Sequence, residues 1–229
     1  GRRGRVVDVL GPARAYWRGL PGVTGDAPVA VVRAPGGFGA EVAAGAAAAL
    51  AAAGRRPLLV ADRDPAPPGE AVAAAVAAGA AWVAGGGRME DDLALARAMA
   101  PAGLRAALVV FGVAEAGRAL GEGVVGSVGP VQWDGTPGPV PPPPDADYPA
   151  AQAIAAALVA EEALALAGSA RPEALWDAAR ALRTRTLIGP FAVDREGRQT
   201  AHAPALVRWT AAAGGPRRRV VWRPPPEGA

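Results

Sequence analysis

From residue 29 onward the chain alternates short apolar runs with longer Ala-rich stretches. Val29-Ala30-Val31-Val32, Pro57 to Ala61, Ala81 to Ala84 and Leu108 to Phe111 are apolar throughout rather than at every second position. Runs of that kind are expected where a strand is buried on both faces. Gly123-Val124-Val125-Gly126 reads as a fifth strand. Between these runs, residues 38–53, 70–78 and 89–102 read as helices, the first two closed by Gly54 and Gly79. Glu90, Asp91 and Asp92 fall in the first turn of the third helix, where the macrodipole favours acids. The alternation predicts an α/β fold with a doubly wound parallel sheet and right-handed crossovers.

The flanks have a different texture. Residues 1–27 are irregular, with Pro12, Pro21 and several Gly, and Asp62 to Gly69 is a Pro-rich loop. Residues 134–147 form a Pro-rich stretch that predicts a stiff polyproline-type linker. Tyr148 to Ala167 predicts a long Ala-rich helix stopped at Gly168. Ser169 and Pro172 open a second helix running to about residue 183. After Gly189-Pro190 the chain reads as β structure, with residues 204–210 and 219–223 as a hairpin or two edge strands, each carrying a Trp. The expected organisation is an irregular segment (1–27), an α/β lobe (28–133), a linker (134–147), a helix pair (148–185) and a C-terminal β segment completing the lobe (186–229).

Composition narrows the chemistry. The chain is 51% apolar, mostly Ala and Val, so its helices should have small contact faces. The net charge is +3, and every basic side chain other than His202 is Arg. Arg217-Arg218-Arg219 is the one basic run, and without interleaved aromatics it gives no nucleic-acid signal. The absence of Cys excludes disulfides and thiolate chemistry, and the single His excludes His-rich metal sites. No apolar run approaches a membrane span without interruption by Gly, Pro or charge. Gly1 to Arg5 lacks the apolar region of a signal peptide.

A family pattern emerges late in the chain. Tyr148 opens an Ala-rich helix, Gly168-Ser169 breaks it, and residues 171–183 form a second helix. Thr186-Leu-Ile-Gly189-Pro190-Phe191-Ala-Val-Asp194-Arg-Glu-Gly197 follows, and then Val207-Arg208-Trp209. In order and spacing this resembles the C-terminal part of type I periplasmic binding proteins of the leucine/isoleucine/valine-binding kind. Earlier segments are similar to the same family. They are Tyr16-Trp17-Arg18-Gly19-Leu20-Pro21, the aromatic-Gly pair Phe38-Gly39 after a strand, Gly85 through Gly103-Leu104, and Glu122-Gly123-Val124. The resemblance covers roughly residues 16–210. It departs from the family in three places. The first lobe has no counterpart, a helix is missing between Pro21 and Val29, and the segment before Tyr148 is shortened and Pro-rich. The expectation is a fragment or a reduced relative.

The resemblance implies a substrate-binding component of an ABC-type amino-acid importer. It would be non-catalytic and without a cofactor, with a permease as partner and a periplasmic or extracellular location. It assigns ligand contacts to Phe38, Arg88 and Glu115, as an aromatic platform, a carboxylate clamp and an ammonium partner. Independently of the resemblance, these three follow the carboxyl ends of successive strands, the ligand-binding edge of open α/β sheets. The alternative is a degenerate domain that keeps the fold and serves a structural or partner-binding role. Two enzymatic readings fit less well. Gly37-Phe38-Gly39 is followed by Val42 where a dinucleotide fingerprint needs Gly, although Asp62 stands near the expected acid, and without Lys no Walker loop is possible. His202 with Asp194 and Ser169 or Thr200 lacks a nucleophile elbow, since Ser127 sits in Gly126-Ser127-Val128-Gly129. Asp194 to Gly197 reads as a turn rather than a metal site.

Overall fold

The structure is a computed structural model and describes residues 6–62, 67–136, 138–143 and 146–225. The expected start at Gly1–Arg5, the centre of the loop after Asp62, and Pro137, Pro144 and Asp145 of the Pro-rich stretch lie outside the described residues. The chain forms two compact units. One comprises residues 13–131 with 205–229, the other residues 1–12 with 132–204. The stretch 186–229, read from sequence as one β segment, is therefore divided at Pro204.

The larger unit is built on a seven-stranded sheet of order β2-β1-β3-β4-β5-β8-β9. Its strands are β1 (Val29–Arg33), β2 (Leu59–Asp62), β3 (Trp82–Gly86), β4 (Arg105–Leu108), β5 (Val128–Val131), β8 (Ala205–Thr210) and β9 (Arg217–Trp222). The first five run parallel, and β8 and β9 add antiparallel at the β5 edge. The helices are α1 (Leu20–Thr24), α2 (Gly36–Ala52), α3 (Pro68–Ala77), α4 (Met89–Met99) and α5 (Ala114–Leu120).

Period-2 alternation sends the side chains of each central strand to two separate cores. Ala30 and Val32 of β1, Val83 of β3 and Leu108 of β4 pack with Val72 and Ala75 of α3 and with Leu93, Leu95 and Met99 of α4. Val29 and Val31, Trp82 and Ala84, and Ala107 and Val128 pack on the opposite face with Leu20, Val42, Ala46 and Leu50 of α1 and α2. The result is three layers, helices on sheet on helices, as the doubly apolar strand runs require. The Ala-rich composition is offset by two fully buried indoles, Trp17 and Trp82, which fill volume that Ala leaves empty. It also permits very close approach. A Cβ at Gly45 of α2 would lie 2.2 Å from the backbone oxygen of Arg14, so only Gly lets α2 seat against the 3-10 turn Ala13–Ala15.

Two strand expectations are corrected. The fourth strand is Arg105–Leu108, and the apolar run beyond it, Val109–Gly112, coils as a 3-10 turn. Gly112 is fixed there because a Cβ would meet the oxygen of Pro130 at 1.8 Å. The segment Gly121–Val124 is also a 3-10 turn, and the fifth strand is Val128–Val131, whose Gly and Pro hide its β character. Helix α5 follows, with Glu115 in its first turn. A single helical turn, α1, occupies the interval between Pro21 and Val29 from which a helix was expected to be missing.

The smaller unit contains α6 (Tyr148–Ala167), α7 (Pro172–Ala181) and the two-residue strands β6 (Thr184–Arg185) and β7 (Pro190–Phe191), paired antiparallel. Asp147 caps α6 by accepting from the Ala150 amide at 2.9 Å, and Gly168 ends it at φ 58°. One face of α6 is covered. Ala151 and Ala155 pack with Leu187 and Ile188, and Val159 and Ala163 pack with Ala178, Ala179, Leu182, Phe191 and Val9. Elsewhere Leu164 and Leu166 are 47% and 58% exposed. Among the described residues, α6 is the one helix long and apolar enough to cross a membrane, although Glu161 and Glu162 sit within it. The Pro-rich stretch opens on a local turn in which the Asp134 carboxylate accepts from the Thr136 amide at 3.0 Å.

Candidate functional site

The order β2-β1-β3-β4-β5 reverses direction between β1 and β3. At such a switch point the connections leave toward opposite faces and a crevice opens at the carboxyl edge. Phe38 and Arg88 belong to the two connections that border it. Glu115 belongs to the connection after β4, one strand further along.

Phe38 lies in the first turn of α2 and is 44% exposed. Its ring meets Tyr16 in a T-shaped contact, with centroids 5.9 Å apart and planes at 75°. The neighbouring Gly39 fixes this placement, because a Cβ there would lie 2.3 Å from the oxygen of Ala34 at the end of β1. Gly36 has φ +85° and open space around it, so the first turn of α2 begins on a backbone conformation that suits glycine.

Arg88 is the residue before α4 and is exposed. Its carbonyl accepts from the Asp92 amide at 3.0 Å, while among the described residues no hydrogen bond or ion pair engages its guanidinium. The preceding Gly85-Gly86-Gly87 is dictated by packing. A Cβ at these positions would meet the Val32 oxygen at 2.5 Å, the Val109 side chain at 2.2 Å and the Ala34 Cβ at 2.6 Å. Glycine here brings β3 and its loop against β1 and the turn after β4, which accounts for the triplet without any phosphate.

Asp92 holds these loops together. It is 2% exposed, and its carboxylate accepts from the Gly87 amide at 2.8 Å and from the Val110 amide at 3.1 Å. One side chain of α4 thus joins the loop after β3 to the turn after β4. Sequence reading placed Asp92 only as one of three first-turn acids, and nothing in the local pattern separates it from Glu90 and Asp91.

Glu115 is exposed in the first turn of α5 and pairs with Arg118 one turn later at 2.5 Å. Arg218 of β9 stands near enough to feel its charge. Burial pulls the Arg218 guanidinium below its ordinary pKa, and Glu115 opposes the shift. Arg218 donates to the Gly112 oxygen and stacks over Trp209 at 5.9 Å, while the Trp209 indole donates to the Phe111 oxygen at 2.8 Å. The i,i+3 spacing of Glu115 and Arg118 was available in the sequence. The approach of Arg218 required the fold.

The hydrolase elements are not assembled. Ser169 accepts from the Arg171 amide at 3.2 Å before α7, and Asp194 closes a turn by accepting from the amides of Glu196 and Arg198 at 2.8 and 3.0 Å. His202 is buried in the smaller unit with its Nε2 unpartnered, and burial pushes its pKa down to about 4, against smaller opposing contributions from Gln132 and Asp134. Among the described residues, no group of His, Asp and Glu is placed to hold a metal ion.

No protein-family model matches the sequence, and no curated protein matches it. Its fold is that of the type I periplasmic binding proteins. A type 1 periplasmic binding protein from Bordetella pertussis Tohama I superposes with a TM-score of 0.73 at 17% identity, over 91% of this chain and 64% of that one. A leucine-binding protein from Thermotoga maritima gives 0.70 at 14% identity, over 93% and 65%. A solute-binding protein of an ABC transporter from Rhodopseudomonas palustris HaA2, solved with p-hydroxybenzoic acid, gives 0.64 at 14% identity, over 90% and 62%. The chain spans a little under two thirds of the length of these structures.

Proposed function

We propose that the chain is a solute-binding component of an ABC-type importer, which captures a small organic ligand such as an amino acid without altering it. The observation that supports this reading is a fold shared with solute-binding proteins, in which Phe38 and Arg88 follow the two strands at the β1/β3 reversal and Glu115 follows the next strand along. Phe38 supplies an apolar ring surface, Arg88 a guanidinium suited to a carboxylate, and Glu115 an acid. The implied partner is a membrane permease, and the implied location is the periplasm or cell exterior.

A second reading, a domain that keeps this fold for a structural or partner-binding role, is favoured by the exposure of Leu164 and Leu166 on α6. Thermal unfolding with a panel of branched-chain, polar and aromatic amino acids and small organic acids separates the two. A ligand that binds only the folded state stabilises it by about 2.7 kcal/mol at a hundredfold excess over Kd. A shift with one ligand class supports the receptor, and a cooperative transition that no ligand moves supports the second reading.

A further inference from the structure

We infer that strand β2 is a docking edge for a second copy of this chain, which pairs antiparallel with it so that two sheets join across a twofold axis. The two edges of the sheet are finished differently. The outer strand at one end, β9, carries Arg217, Arg218 and Arg219, all exposed, and charged side chains on an edge discourage further strand pairing. The outer strand at the other end, β2, exposes apolar side chains instead. Leu58 and Val60 are 49% and 56% exposed. Both project to the face on which α1 and α2 pack, since Val60 pairs with Val31 of the core on that side. Helix α2 lies over β1 and β3, which leaves these two side chains uncovered at the rim.

The backbone of β2 is set to receive a strand. The Leu58 amide donates to the Val29 oxygen of β1 at 2.8 Å, so Leu58 and, by alternation, Val60 turn their backbone polar groups inward. Leu59 and Ala61 turn theirs outward, where among the described residues no strand pairs with them.

A second copy is the occupant because the edge is complementary to itself. With Leu59 opposite Leu59 of the second copy, the two residues exchange both backbone hydrogen bonds, and Ala61 donates to the Pro57 oxygen of that copy. Pro57 has no N–H, so the ladder stops there. In the same register Leu58 faces Val60 of the second copy and Arg56 faces its Asp62, an apolar pair flanked by an opposite-charge pair. Arg56 is exposed, and among the described residues no hydrogen bond or ion pair engages its guanidinium. The Asp62 side chain is 57% exposed even though Arg33 holds it, and a carboxylate has lone pairs for a second guanidinium. Slipping the copy by two residues sets Val60 opposite Arg56 in one direction and Leu58 opposite Asp62 in the other, an apolar side chain against a charge. The register is thereby fixed by the sequence of β2 and of the residues just before it.

A ladder this short belongs with weak, transient interfaces, so the test is sedimentation equilibrium of the full chain from about 5 to about 500 µM. The average mass should rise from 22.8 kDa toward twice that value. Val60→Lys, at an exposed position, and Arg56→Glu, which sets like charges across the pair, should each weaken association about tenfold or more, with the unfolding midpoint unchanged at the lowest concentration. Disulfide trapping reads the register, because the chain has no Cys of its own. Leu58 and Val60 of the second copy form a non-hydrogen-bonded pair with Cα atoms about 4.5 Å apart, within disulfide reach. A mixture of Leu58→Cys and Val60→Cys chains should therefore cross-link about tenfold faster under mild oxidation than either variant alone. A monomeric mass at every concentration would overturn the inference. Association left unchanged by either charge variant would overturn it too, by placing the contact on another surface. Either cysteine variant cross-linking with itself as fast as the mixture would overturn the antiparallel pairing.

Discussion

Asp92 offers the sharpest check on how the site loops are held. Truncation to Ala removes both carboxylate oxygens and leaves the Gly87 and Val110 amides, now 2.8 and 3.1 Å from nothing, without those acceptors in a region where Asp92 itself was 2% exposed. A buried donor stripped of its partner costs about 1–3 kcal/mol, and bonds to a charged acceptor lie toward the upper end. Two such losses, partly relieved by water entering the loop, should cost about 3 kcal/mol. For a chain of this size that corresponds to a fall of roughly 6–12 °C in Tm. Asp92→Asn keeps one acceptor oxygen but turns an NH2 toward the other amide, so it should cost about half as much. Urea unfolding followed by tryptophan fluorescence is the suitable assay, because Trp17 and Trp82 are buried in the same unit as Asp92 and report on its opening. The midpoint should drop with an unchanged m-value. If Asp92→Ala changes stability by less than about 0.5 kcal/mol, as an ordinary surface substitution would, the carboxylate is not holding the loops and the argument fails.

Three further outcomes follow from the same geometry. Gly39→Ala should cost about 1–3 kcal/mol, since its Cβ would lie 2.3 Å from the Ala34 oxygen, and it should weaken ligand binding by displacing Phe38; urea midpoints and titration check both parts. Phe38→Ala should cost less than about 1.5 kcal/mol, because the residue is 44% exposed and the chief packing lost is the edge contact with Tyr16, while lowering affinity; equal affinity would remove Phe38 from the site. His202 ionises at about 4 in the folded chain against 6.5 unfolded, so the unfolded state binds more protons between those values. Stability should therefore fall by about 3 kcal/mol as the pH drops from 6.5 to 4. Denaturation of wild type and His202→Gln across that range should show the slope only in wild type.

The sequence made the layered core legible because β1 and β3 need to be apolar on both faces and nothing else explains Val29 to Val32 or Ala81 to Ala84. The same rule misplaced the fourth strand. Val109 to Phe111 is as apolar as the strand before it, but it is buried as a turn beneath Gly112 and Pro130, and apolarity does not distinguish the two. The fifth strand was missed because Val128–Val131 carries Gly and Pro in a position where tertiary pairing outweighs local propensity. Phe38, Arg88 and Glu115 were readable as residues following strand ends. Which of them is already engaged was not, because the Glu115 environment depends on Arg218, about a hundred residues away in sequence and delivered by β9. Asp92 stayed hidden for a related reason, since its partners Gly87 and Val110 are backbone amides, which leave no trace in composition.

The sheet of the larger unit closes only after the chain has left and returned. Val131 of β5 pairs with Ala205 of β8, and everything between them, residues 132–204, belongs to the smaller unit. During synthesis five parallel strands emerge first, with the β5 edge open. Had the intervening 73 residues (132 through 204) been a flexible loop, bringing its ends together would cost about 4 kcal/mol of chain entropy beyond the fixed term. Folding of the inserted unit removes most of that cost, because Gln132 at its entrance is held to Gly11 by two 3.0 Å hydrogen bonds and Gly11 lies against His202 near its exit, where a Cβ on Gly11 would be 2.9 Å from the His202 oxygen. The insertion thereby acts as a clasp that holds β8 in reach of β5. The chain order is the parallel strands, then the insert, and last the β8–β9 edge, which carries Trp209 and Arg218 to their places beside the Glu115 turn.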